Sequence, residues 1–244
     1  AARRALRGPR ALAAPDRVRH VWRPLRALTK NGRVTYETLR YTKGEDGIAR
    51  VVLNRPEVLN AINLQMQHDL RDVWHDVRYD NDVRCVILSA EGRAFCTGAD
   101  VRAIPGDGKV INEQPYLSTY EQWEAPQEGT PPFRTMAKPV LAAINGICCG
   151  AGLDWVTTGD IVIASDKATF FDPHVSIGLV SGREMVRLAR VLPTGIAMRI
   201  ALTGRHERMS AQRAYDLGMI SEVVEHDRLL ERAKEVAALV NRNA

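Results

Sequence analysis

The sequence predicts an α/β fold, and three observations carry that prediction. Apolar runs of strand length, among them Val140 to Ile144 and Ile161 to Ser165, alternate with stretches whose apolar residues recur at helical spacing. The order is strand, strand, helix, strand, then further strand–helix units. Twice a buried-strand pattern ends in small residues, at Thr97-Gly98-Ala99-Asp100 and at Gly150-Ala151-Gly152, and the second cluster opens a helix. A chain of 244 residues with 45% hydrophobic and 26% charged residues suits one globular domain with a substantial core. No apolar run approaches the roughly 18 residues of a membrane span, so the chain reads as soluble, with no membrane partner.

Residues 1–33 stand apart. They hold ten Arg or Lys and one acid, so they carry +9 of the formal charge and leave −4 for the rest of a chain whose total is +5. The segment has no apolar stretch for a secretory signal, and it shares the Arg-rich, acid-poor composition of a mitochondrial transit peptide without its usual serines. It reads as a disordered basic leader, with contact to nucleic acid or an anionic surface as the alternative. The folded domain is then residues 34–244, expected in the cytoplasm, or in mitochondria if the leader is a transit peptide.

Within that domain Tyr36 to Tyr41 and Ile48 to Leu53 read as strands joined at Gly44-Glu45-Asp46-Gly47. Asn63 to Tyr79 is a helix with Leu64, Met66, Leu70, Val73, Trp74 and Val77 on its apolar face, followed by a strand at Arg84 to Ser89. Residues 101–136 are irregular, of the length that forms functional lids; Tyr116, Tyr120 and Trp123 either line a substrate pocket or pack a short helix. Val140 to Ile144 ends at the Asn145-Gly146 turn, and Asp154 falls in the first turn of the helix beyond. The strand Ile161 to Ser165 precedes a helix from Glu184 to Leu192. Another begins at Pro193-Thr194-Gly195, Ser210 caps a third, Met219 to Val224 is a late strand and Asp227 to Val240 a last helix. Cys85, Cys96, Cys148 and Cys149 lie in or beside apolar segments without paired CxxC spacing, which predicts reduced core thiols and neither a disulfide framework nor a metal site.

A strand that feeds a helix through small residues leaves backbone N–H groups without partners, a natural place for developing negative charge. Glycines that merely permit close packing are the simpler account of either turn alone. Two such turns roughly 50 residues apart can each give one donor to a shared oxyanion.

Here the chain resembles the enoyl-CoA hydratase/isomerase (crotonase) family. The resemblance rests on Asn54-Arg55-Pro56 with Asn60-Ala61, Ala94 through Asp100, Lys138-Pro139 through Asn145-Gly146, Gly150-Ala151-Gly152, Thr203-Gly204, Ser210-Ala211, and Ala214 to Gly218, all in order. It implies a spiral of ββα units, with the family's C-terminal helical part shortened or missing, and a homotrimer or hexamer if those helices exist. It also implies an acyl-CoA substrate bound by Leu59, Ala61, Thr97, Ala99, Asp100, Val101, Arg102 and Ala151, with no cofactor beyond the coenzyme A of the substrate. The Ala99 and Ala151 N–H groups would polarise the thioester carbonyl. The family's two catalytic glutamates map onto Asp154 and His174, so the two-glutamate mechanism does not carry over intact. The expectation is a His174 acid/base partnered by Asp154, acting in enoyl-CoA hydration or double-bond isomerisation. Hydrolysis of a thioester or of a β-dicarbonyl C–C bond by the His–Asp pair is the enzymatic alternative; a non-catalytic acyl-CoA or RNA-binding member is the other, although nucleic acid is not the expected partner.

Overall fold

The computed structural model describes residues 36–103 and 138–243. The basic leader, and Tyr116, Tyr120 and Trp123, lie outside these described residues.

Six strands form the larger sheet: β1 (Leu39–Lys43), β2 (Ile48–Leu53), β3 (Cys85–Ala90), β5 (Val140–Ile144), β7 (Ile161–Ser165) and β10 (Glu222–Val224), hydrogen-bonded in that order. The β1–β2 pair is antiparallel, running from Leu39 opposite Leu53 to Lys43 opposite Ala49, and every other pair is parallel. The first strand begins later than the apolar pattern suggests because the Thr38 amide is claimed by the Asp69 carboxylate at 2.8 Å. The sheet is covered on both sides, so its central strands are buried at almost every position. Alternation still sorts the residues. Val86 and Leu88 face a core shared with α1 (Leu64–Tyr79), whereas Cys85 and Ile87 face one closed by Leu229, Ala233 and Ala237 of the terminal helix α6 (Leu229–Asn241).

Helix α1 starts where the sequence places it. Asn63 is its N-cap, accepting from the Met66 amide at 2.9 Å. Leu64 is the exception on its apolar face: it sits in the first turn, ahead of the buried stripe, and is exposed.

Four short strands make a second sheet in the order β4 (Ala94–Cys96), β6 (Ile147–Cys149), β8 (Thr169–Phe171) and β9 (Met209–Ser210). A repeat is visible. Each of β3, β5 and β7 in the large sheet is followed directly by a short strand in the small one, and α2 (Leu153–Thr158) follows the second such pair. The units pack without room to spare, since a Cβ at Gly146 would sit 2.2 Å from the Arg93 carbonyl oxygen and one at Gly152 would sit 2.5 Å from that of Cys96. Phe95 meets Trp155 edge-on at 5.6 Å, fixing β4 against α2. The remaining helices among the described residues are α3 (Arg183–Val191), α4 (Thr194–Thr203) and α5 (Ala211–Asp216), the last capped by Ser210. All four cysteines are buried thiols, and burial pushes Cys96 and Cys149 up to about 12, so neither is a ready nucleophile. No helix of the described residues is long and apolar enough to cross a membrane.

Candidate active site

The small sheet decides where the site forms. β4, β6 and β8 run parallel, with Cys96 opposite Cys148 and Cys149 opposite Phe171, so the chain leaves all three at the same edge. The first exit carries Thr97-Gly98-Ala99-Asp100, the second Gly150-Ala151-Gly152, the third Asp172-Pro173-His174. Gly98 and Gly150 take φ of +87° and +54°, which turns both segments sharply. They also touch: a Cβ at Gly98 would lie 3.2 Å from the Ala151 nitrogen and 3.3 Å from the Cys149 carbonyl oxygen. Ala151 itself is not among the residues of positive φ, so alanine serves there without strain.

The Ala99 amide is freed by how its strand is paired. The Ile62 amide donates to the Gly98 carbonyl at 2.8 Å and the Asp100 amide donates to the Ile62 carbonyl at 2.9 Å, a parallel bridge that leaves Ala99's own N–H on the opposite side. The Ala151 N–H lies in the first turn of the short 3₁₀ segment Gly150–Gly152, before any intrahelical acceptor is available. Residues 55–62 reach this bridge through a strained loop in which Leu59 and Asn60 have φ of 57° and 54°, the only non-glycine residues of positive φ among those described. Asn60 holds it there. Its side chain accepts from the Arg55 amide at 2.8 Å and donates to the carbonyls of Glu91 and Ala94 at 2.8 and 2.9 Å.

These segments surround a cavity of about 730 Å³. Leu59, Ala61, Thr97, Ala99, Asp100, Val101, Arg102, Ala151 and His174 all line it. Asp100 is buried and bound by Arg55 at 3.1 Å and by Arg102 at 3.2 Å. Arg102 nonetheless stays mostly open to solvent.

Asp154 does not line the cavity. It is 1% exposed and held between two guanidinium groups of α3, Arg183 at 2.5 Å and Arg187 at 2.8 Å, in ionic contacts that are not aligned hydrogen bonds. Burial drives its carboxyl above the ordinary range despite both arginines, and the nearby Glu184 charge adds to the rise. The sequence expectation pairs Asp154 with His174; here Asp154 contacts Arg183 and Arg187 of α3, and the carboxylate hydrogen-bonded to the His174 ring is a different one. That carboxylate is Asp172, two residues upstream, which accepts from the His174 ring Nδ1 and, at 3.1 Å, from its backbone N–H. This is an Asx-type turn, a short-range signal present in Asp172-Pro173-His174 itself. Burial alone would lower the imidazole, but the hydrogen bond and charge of Asp172, with the charges of Glu184 and Asp154, outweigh it and hold His174 above its usual range. Burial likewise opposes ionisation of Asp172, and the His174 hydrogen bond overcomes it and keeps the carboxyl low.

Sequence reasoning also missed Glu184. It is buried in the first turn of α3, lines the same cavity, and has Arg183 at 3.9 Å as its nearest charge partner among the described residues. The sequence marked it only as a helix start.

An enoyl-CoA hydratase/isomerase family model matches residues 43–244. A crystal structure of an enoyl-CoA hydratase/isomerase from Mycobacterium paratuberculosis is 66% identical, with a TM-score of 0.78 over 86% of this chain and 79% of that one. The (E)-benzylidenesuccinyl-CoA hydratase of Thauera aromatica is 35% identical over 194 residues, 78% of this chain and 71% of that protein. The enoyl-CoA hydratase domain-containing protein 3 of Rattus norvegicus, named as mitochondrial, is 34% identical over 201 residues, 82% of this chain. The chain spans 64% of the rat protein's length.

Proposed function

This chain belongs to the enoyl-CoA hydratase/isomerase family, and we propose that it acts at the α-carbon of an acyl-CoA thioester, adding water to an enoyl-CoA or moving its double bond. The observation that carries the reading is the convergence of three parallel strand ends on one cavity: two turns presenting the Ala99 and Ala151 N–H groups, which have no backbone acceptor among the described residues, and one histidine backed by a carboxylate. The Ala99 and Ala151 N–H groups receive the thioester oxygen as an enolate forms, each contributing about 2.7–4 kcal/mol of transition-state stabilisation. Because a carboxylate can only accept, Asp172 fixes the His174 tautomer with its proton on Nδ1 and leaves Nε2 to exchange a proton with the substrate.

Asp154 has a positioning role in this reading, holding Arg183 and Arg187 at the base of α3. Leu59 and Ala61 line the cavity, and Arg102, exposed at its rim, would meet the coenzyme A phosphates. Coenzyme A enters as part of the substrate, and the reading uses no other cofactor.

The pairing of His174 with Asp172 also supports a second reading, hydrolysis, because a carboxylate-oriented imidazole activates water. Purified protein incubated with crotonyl-CoA and with a β-diketone separates the two. Hydration of crotonyl-CoA that disappears in His174→Ala supports the first reading; turnover of the diketone alone overturns it.

A further inference from the structure

We propose that Glu184 is the second acid–base group of this cavity, the one that takes a proton from the attacking water while His174 serves the α-carbon. The inference rests on the acyl-CoA reading above and adds a residue to it. Asp154 is buried outside the cavity lining and enclosed by Arg183 and Arg187. Asp172 is spent on His174, and Asp100 on Arg55 and Arg102. Of the two acids that remain on the cavity wall among the described residues, Glu57 is exposed, while Glu184 is 7% exposed.

Its setting is not that of a structural carboxylate. Buried carboxylates are normally held by hydrogen bonds or a close cation. Here no hydrogen bond to the Glu184 side chain is found among the described residues, and the Arg183 guanidinium is 3.9 Å away and closer to Asp154. A carboxylate at a cavity wall whose nearest cation among the described residues is 3.9 Å away is placed to receive a proton. It also lies within electrostatic reach of His174, whose positive form its charge favours.

The protons balance. The Glu184 carboxylate accepts a proton as the water oxygen bonds to the β-carbon. The carbon–carbon double-bond electrons pass to the thioester oxygen as the enolate, and the His174 imidazolium then gives its Nε2 proton to the α-carbon as the carbonyl re-forms. Glu184 ends protonated and His174 neutral, and a proton passing from the first to the second restores the starting state. Exchange of an α-proton on a saturated acyl-CoA needs only His174 and the two backbone donors. That difference gives the test.

Wild type, Glu184→Gln and Glu184→Asp are compared for hydration of crotonyl-CoA and for deuterium uptake at the α-carbon of butyryl-CoA in heavy water, with thermal melts to confirm folding. Glu184→Gln is expected to lose about a hundredfold to ten-thousandfold in hydration, the usual worth of a general base. Its α-exchange stays near the wild-type rate, and Glu184→Asp recovers part of the hydration rate. Hydration by Glu184→Gln at the wild-type rate, equal loss of hydration and exchange, or a wild type that exchanges but hydrates nothing each overturns the role of Glu184. A wild type that neither exchanges nor hydrates overturns the acyl-CoA reading instead.

Discussion

His174 Nδ1 hydrogen-bonds the Asp172 carboxylate across a single intervening proline, and the same carboxylate oxygen accepts the His174 backbone N–H. The ring is thus oriented twice by one group. Removing the charge while keeping the shape, in Asp172→Asn, loses the main influence that raises the imidazole. The alkaline limb of the hydration profile should move to lower pH. Activity at neutral pH should fall by about a hundredfold or more, as expected when a general acid loses its orienting carboxylate. A pH–rate profile of kcat in the two proteins checks this; an unmoved alkaline limb sinks it.

The same pair makes stability depend on pH in a defined window. His174 is raised on folding, so its contribution is fully present below its unfolded pKa of about 6.5 and is lost as pH rises through the folded value. Asp172 is lowered, so its contribution is present above an unfolded pKa of about 3.9 and is lost as pH falls through the folded value. Urea midpoints for wild type relative to His174→Ala should differ most between about pH 4 and 6.5. A difference that is flat from acid to mildly alkaline pH would rule the ion pair out as the cause.

Asp154 makes a contrasting prediction, because it is buried against two part-buried arginines whose charge it offsets. Truncating one member of a buried ionic group leaves uncompensated charge, so Asp154→Ala should cost about 3–5 kcal/mol. Denaturant unfolding measures it, and a loss below about 1 kcal/mol, the size of an exposed pair, would show that the arginines find solvent instead.

Much of this fold is written locally, and much of the site is not. The α1 start follows from Asn63 and the stripe from Met66 to Val77, and the large-sheet strands follow from apolar runs that need no partner to be recognised. The strands β4 and β6 are three residues long, below the length at which alternation means anything, yet their parallel pairing is what brings Gly98 to Ala151. Whether Asp154 faces the cavity depends on Arg183 and Arg187, about thirty residues further along and on another helix; no spacing rule reaches that far. Asp172 was legible in principle, since an aspartate two residues before a turn histidine is an Asx signal. The resemblance drew attention to Asp154 in its place.

Asn60 tests the loop that carries Leu59 and Ala61 to the cavity wall. It is wholly buried, and its side chain makes three hydrogen bonds, all to backbone groups of Arg55, Glu91 and Ala94. Asn60→Ala leaves those groups unpaired, at about 1–3 kcal/mol for each buried group that water does not reach. It also places alanine at φ 54°, where asparagine is better tolerated. The expected loss is about 3–5 kcal/mol, near the upper limit for a single substitution. Thermal or denaturant unfolding gives the value, and a variant within about 1 kcal/mol of wild type would mean that the loop is held by its other contacts.

Gly98 separates strain from chemistry. Its φ of +87° alone makes Gly98→Ala cost about 1–2 kcal/mol, as at any left-handed position. Gly218 supplies the control, with φ of +78°, nothing within 4 Å of an added Cβ, and a place at the end of α5 away from the cavity. Gly218→Ala should therefore show a similar loss of stability with unchanged kcat. At Gly98 the added methyl meets the Ala151 nitrogen at 3.2 Å and the Cys149 carbonyl oxygen at 3.3 Å, so the turn bearing the second backbone donor must shift or be shielded. One donor lost is worth about 10²–10³ in kcat. Ground-state affinity for acyl-CoA should change far less, because the donor acts on charge that develops only in the transition state. Steady-state kinetics with crotonyl-CoA, paired with calorimetric binding of a saturated acyl-CoA, reads both quantities. Equal losses of kcat in the two glycine variants would place the effect in folding and remove the support that the Gly98–Ala151 contact lends to a paired oxyanion site.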